Sequence, residues 1–154
     1  MLSKTTLLTL LTTTSLTAAR LTGIAAPSTL APSQPFTLTL LTENYIQSVA
    51  DISVVWGFAP TPGFPLSLGA FVSSAYLGPS KSNQLQNVTI PATAPADLAQ
   101  WKGKQVVLSA SLFSLYGVSG TPSVANFNVT VNVGDQTSGS VKRSDGFTWG
   151  TGQC

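Results

Sequence analysis

The sequence predicts an all-β domain, an antiparallel immunoglobulin-like β-sandwich of about seven strands with no internal disulfide. The first observation behind this is the stretch Lys104–Val133, KQVVLSASLFSLYGVSGTPSVANFNVTVNV. Its first half places Val106, Leu108, Ala110, Leu112 and Tyr116 on one face, and Val107, Phe113 and Leu115 on the other. Apolar residues on both faces predict a strand with little open water on either side. Gly117, Gly120 and Pro122 then supply turn chemistry. The second half alternates, with Phe127, Val129, Val131 and Val133 inward and Asn126, Asn128, Thr130 and Asn132 outward. The second observation is that short alternating runs recur along the chain with turn signals between them. The third is the lone cysteine, Cys154, the last residue. It forbids an intramolecular bridge, so the core alone must hold the fold. A jelly roll or small barrel is the alternative architecture.

Composition narrows the function classes. The 154 residues allow one domain; they are 43% hydrophobic and only 8% charged. Such low charge does not fit a disordered tail, a coiled coil or a nucleic-acid binder. The net charge of +2 comes from scattered Lys and Arg, without a basic stripe.

Met1–Ala19, MLSKTTLLTLLTTTSLTAA, reads as a secretory signal peptide. Lys4 opens it, leucines fill its centre, and Thr17-Ala18-Ala19 offers a small-residue cleavage site that leaves Arg20 first. The run is too short and too rich in Thr for a membrane anchor. Cys154, in a secreted chain, is free to form an intermolecular disulfide or to remain an exposed thiol.

Residues 20–134 then form the expected β-sandwich domain. Arg20–Ala26 is a strand candidate, followed by Pro27, Pro32 and Pro35. Phe36, Leu38 and Leu40 alternate with Thr37 and Thr39 as the second strand. Thr42–Asp51 is either a loop or a bulged continuation. Ile52, Val54, Trp56 and Phe58 share one face of the third strand, with an aromatic as the core filler. Ala59–Leu68 holds three prolines and a glycine, so it predicts a crossing loop. Gly69–Leu77 and Gln84–Ile90 are the next strands. Ala94–Trp101 has room for one helical turn, with Leu98 and Trp101 packing across the sheet ends. Residues 135–154 are rich in Gly, Ser and Thr and read as a tail, flexible or draped over the sandwich.

Several short motifs carry chemistry. Asn87-Val88-Thr89 and Asn128-Val129-Thr130 are N-glycosylation sequons, and both acceptors fall on polar strand faces. Lys142-Arg143 is a dibasic pair, a candidate processing site against the plainer reading of two solvated charges. No histidine occurs. That leaves out Ser-His-Asp and Cys-His catalysis and zinc sites built on His, and no cofactor is implied. Glu43 with Asp51, or Asp97 with Asp135, could form a glycosidase pair, but turn and cap roles suit such sparse acids better. Trp56, Trp101 and Trp149 could form a sugar platform, although Trp56 sits where a core residue is expected.

The blocks ARLTGIAAP, TENYIQSVADI, AYLGPSKSN and ASLFSLYGVSGTPSVANFNVTVNVG occur in that order over most of Ala19–Gly134. In these blocks the chain resembles the necrosis-inducing secreted proteins of plant-colonising fungi. The resemblance implies a non-enzymatic effector acting in the host apoplast and host cytoplasm. It implies binding to host plant immune kinases, a co-receptor kinase and a receptor-like cytoplasmic kinase. Their inhibition would suppress pattern-triggered immunity, with host cell death in some plants. Candidate interface residues are Tyr45, Ile46, Phe64, Phe147 and Trp149, since aromatics are favoured anchors. Strand pairing at Phe127–Val133 is a further docking mode unless a glycan blocks it. The alternative function is a cell-wall or carbohydrate-binding module.

Overall fold

The computed structural model describes residues 18–145 and the backbone of residues 148–149. It is an antiparallel two-sheet sandwich. The seven long strands are β1 (Ala18–Pro27), β3 (Pro35–Tyr45), β4 (Val49–Pro60), β5 (Ala70–Tyr76), β6 (Val88–Thr93), β7 (Gln105–Tyr116) and β8 (Thr121–Val133). Three short strands join them: β2 (Thr29–Leu30), β9 (Val141–Arg143) and β10 (Thr148–Trp149). One sheet has the order β6-β3-β1-β9; the other runs β10-β8-β7-β4-β5, with β2 parallel beside β8. Among the seven long strands the chain crosses between sheets from β3 to β4, from β5 to β6 and from β6 to β7, the Greek-key connectivity of an immunoglobulin-like sandwich.

The core lies between the sheets and follows the period-2 pattern. Leu21, Ile24, Phe36, Leu38, Leu40, Val88 and Ile90 come from one sheet. Val54, Trp56, Phe58, Leu108, Leu112, Phe127, Val129 and Val131 come from the other. Phe36 and Phe58 meet edge to face across the layers, centroids 6.4 Å apart. Each fully buried large side chain contributes about 1.5–3 kcal/mol. The 3₁₀ turn Ala96–Trp101 buries Leu98 completely and sets Trp101 against Phe71, closing one end.

Four expectations need correction. The outer face of β7 is not covered by a second layer: Ser109 and Ser111 are half-exposed and Phe113 is exposed. Only Val107 is sheltered there, beneath Gly63 of the proline loop. Ile52 is not a core residue, because the β4 register against β7 shifts between Asp51 and Ser53. That bulge puts Asp51 inside instead, and a bulge cannot be read from local alternation. The strand assigned to Gln84–Ile90 starts at Val88, after a turn that brings Asn87 Oδ1 to the Thr42 backbone N–H at 3.0 Å. Finally, β8 is not a free edge along its length, since β7 lies on one side and β2 and β10 take both ends of the other.

The segment after Val133 folds back over the sheets as far as residue 145. Thr29 and Ala31 donate backbone N–H bonds to the hydroxyls of Ser138 and Thr137. Lys142 and Arg143 lie in β9, paired with Ala26 and Ala25 of β1, and both are exposed. Ser144 next to them donates its N–H to Ile24 O and accepts from Ile24 N.

Candidate functional site

Parts of all four segments that carry the family resemblance meet at one end of the sandwich. Thr42–Asp51 is neither loop nor simple continuation: β3 runs to Tyr45, a tight turn spans Ile46–Ser48, and β4 starts at Val49. The β4–β7 pairing aligns Val49 with Tyr116, and Gly117 N–H donates to Ser48 O at 2.9 Å. The β3–β4 turn therefore stands beside the β7–β8 turn. Gly117 and Gly120 both take positive φ there, 67° and 62°, as the reversal requires. Ile46 is 93% exposed on the first turn and Val118 is fully exposed on the second.

Beneath these tips the side chains are locked. Tyr45 packs edge to face on Tyr116, centroids 5.7 Å apart. Arg20 lies over the Tyr45 ring at 4.6 Å and donates from Nε and Nη2 to Glu43 Oε1 at 2.8 and 2.6 Å. Tyr45, Gln47, Tyr116, Thr121 and Ser123 line a shallow hollow of about 220 Å³. Ala19 is buried, and its N–H donates to Asn83 Oδ1 at 3.0 Å. Cleavage after Ala19 would therefore start the mature chain within β1. Residues 1–17, the rest of the signal-peptide reading, lie outside the described residues.

Asp51 is the buried acid of this end, 1% exposed. Ser114 Oγ donates to its carboxylate at 2.6 Å. Ser82 Oγ accepts from Asp51 N at 2.8 Å and lies within hydrogen-bonding distance of Asp51 O and Gly78 O. Burial holds the Asp51 carboxyl above the usual carboxylate range, and the Ser114 hydroxyl offsets part of that rise. Burial also pushes the Tyr116 phenol up, with a second contribution from the Asp51 charge.

A raised carboxyl pKa in the folded state means that folding favours the protonated acid. Its contribution to stability is full below the unfolded-state pKa and is lost as pH rises through the folded-state value. Asp51→Asn keeps an acceptor for Ser114 and removes the charge. The variant is expected to gain stability relative to the parent as pH rises from the carboxylate range to neutrality. Urea unfolding of both chains across that range checks it; parallel curves would contradict it.

The other candidate residues are spread over the surface. Phe64 is 79% exposed in the proline loop, on the outer face of the six-stranded sheet. Trp149 belongs to β10, whose backbone pairs with Ala125; its side chain, Phe147 and Cys154 lie outside the described residues. Asn87, in the turn before β6, and Asn128, in β8, are both exposed. Trp56 is buried and Trp101 half-buried against Phe71, so neither presents a free platform. The acids have other neighbours: Glu43 pairs with Arg20, Asp135 with Lys102, and Asp51 with Ser114. Among the described residues no cluster of three or more His, Cys, Asp or Glu side chains could hold a metal, and no helix is long and apolar enough to cross a membrane. Val118, the second exposed tip, escaped the sequence reading because a lone valine in a Gly/Ser turn carries no signal of its own.

Fold and site define a small immunoglobulin-like sandwich with a rigid, uncharged double-turn tip. The chain belongs to the Nis1 family, whose model matches residues 17–132. It is 46% identical over 131 residues to necrosis-inducing secreted protein 1 of Colletotrichum orbiculare, covering 84% of this chain and 79% of that one. It is 45% identical over 121 residues to the protein of the same name from Colletotrichum higginsianum, covering 78% and 82%. Among solved structures, a superoxide reductase (neelaredoxin) from Ignicoccus hospitalis aligns with a TM-score of 0.44 and 16% identity, over 75% of this chain and 81% of that one. A likeness that weak bears on neither the fold nor the chemistry of this chain.

Proposed function

We propose that this chain is a secreted fungal effector that acts by binding rather than catalysis. Its targets are plant immune kinases, a membrane co-receptor kinase and a receptor-like cytoplasmic kinase, which it inhibits to suppress pattern-triggered immunity. Host cell death follows in responsive plants, in keeping with the name its relatives carry. The observation that carries the docking mode is the pair of exposed aliphatic tips, Ile46 and Val118, on adjacent turns. Single exposed aliphatics are ordinary on protein surfaces. Two on neighbouring turns, held by the Tyr45–Tyr116 and Arg20–Glu43 contacts, form a preorganised apolar anchor. Tyr45 and Gln47 would widen the contact toward the hollow at its side.

The test is an in vitro kinase assay. The chain secreted from a fungal host is titrated against the cytosolic domains of both kinases. Dose-dependent loss of phosphorylation together with direct binding is expected. The absence of both binding and inhibition would overturn the kinase reading and leave the sandwich without an assigned target.

A further inference from the structure

The groove between the Pro62–Leu68 loop and the outer face of β7–β8 has no role in tip docking. Its floor is polar: Ser109 faces Asn128 in register, and Ser111 faces Asn126 and donates to its Oδ1. Its wall is apolar, with Phe64 79% and Leu66 69% exposed. The loop that carries them is fixed. Gly63 N–H donates to Pro60 O at 2.8 Å, Thr61 Oγ1 to Gln105 O at 3.0 Å and Ser67 N–H to Phe64 O at 3.2 Å. Two large apolar side chains are thus held out in water by a braced loop, above a row of hydroxyl and amide groups. That is the two-sided chemistry of a sugar ring, which offers C–H groups on its faces and hydrogen-bonding groups at its rim. The cavity is about 250 Å³, just below the roughly 300–1,000 Å³ that takes a drug-sized ligand, and so suits one ring rather than a chain of them.

We propose that this groove seats the first N-acetylglucosamine of a glycan carried by Asn128. Asn128 is the exposed acceptor of a sequon and itself lines the groove. In the transfer, the Asn128 side-chain nitrogen forms a bond to the anomeric carbon of a lipid-pyrophosphate-linked oligosaccharide. The carbon–oxygen bond to the pyrophosphate breaks, the lipid pyrophosphate leaves, and the amide gives up one proton. The tether then holds the sugar beside the groove at high effective concentration. Its faces cover Phe64 and Leu66, while its hydroxyl and acetamido groups meet Ser109 and Asn126. Asn87, in the turn before β6 and outside this groove, has no such seat and serves as the internal control.

The inference rests on the secretory route of the proposed function but not on kinase binding. The test compares chain secreted from a eukaryotic host, trimmed enzymatically to one N-acetylglucosamine per site, with chain made in bacteria. Peptide mass mapping is expected to find the sugar on Asn128. Phe64→Ala is expected to lower the thermal midpoint by about 3 °C in the trimmed chain and to leave the bacterial chain unchanged. The same substitution in an Asn128→Gln background should have no effect, whereas in an Asn87→Gln background the loss should persist. An unmodified Asn128, or an equal Phe64→Ala shift in both preparations, would overturn the proposal. So would an unmodified Asn128 combined with saturable binding of free N-acetylglucosamine oligomers, which would make the groove a site for external sugar. A chain that inhibits the kinases yet lacks this glycan sinks the groove assignment alone.

Discussion

Phe58→Ala is expected to lower the unfolding free energy by about 3–5 kcal/mol, the range for deleting a buried aromatic ring. Phe58 is completely buried and meets Phe36 of the opposite sheet edge to face. The surroundings cannot collapse into the space it leaves. Gly57 lies against the Leu68 carbonyl, and a Cβ on Gly69 would fall 2.3 Å from Phe58 O. Backbone is therefore already packed on backbone along this part of β4, which holds the strand in place when the ring is removed. Against a total stability of roughly 5–15 kcal/mol for a domain, a loss of this size removes at least about a fifth of the whole. Urea unfolding followed by tryptophan fluorescence measures it, with Trp56 in the same core as the reporter. A loss below about 1 kcal/mol would mean that the sheets do not pack as described.

Ile46→Asp combined with Val118→Asp is expected to have the opposite profile. Both side chains stand in solvent, so the folded chain should keep its thermal midpoint; surface changes of this kind fall within about ±0.5 kcal/mol each. Placing two carboxylates at the centre of an apolar contact should weaken kinase binding by at least tenfold. Interface anchors lose on the order of 2 kcal/mol or more when removed, and about 1.4 kcal/mol is a factor of ten. Binding by calorimetry, with phosphorylation in the same buffer, gives both readouts. Unchanged affinity with unchanged stability would remove the tip from the interface.

The long strands were legible because their cores obey one rule. Phe36/Leu38/Leu40, Leu108/Leu112 and Phe127/Val129/Val131 alternate, and alternation between a wet and a dry face is a local property. The pairing of sheets was legible only as a class. What escaped depends on neighbours distant in sequence. The Asp51 bulge exists because β7 places Ser114 opposite, 63 residues on. The strands β2 and β9 are two and three residues long, too short to alternate, and are strands only because β8 and β1 offer them an edge. The bare outer face of β7 is not visible in the sequence, because Val107, Phe113 and Leu115 have the composition of core residues. In space, only the first has a loop above it. The candidate site follows the same pattern. Tyr45 and Ile46 stood out as large apolar residues in a polar stretch, but Val118 gains meaning only from the Gly117–Ser48 hydrogen bond that sets the two turns side by side.

The central claim is that the double-turn end is the docking surface, and hydrogen–deuterium exchange of the chain with and without kinase tests it most directly. Slowed exchange confined to residues 45–48 and 117–121 is the predicted result. Protection centred instead on the outer edge of β5 or on the proline loop, with the turns unchanged, would contradict it.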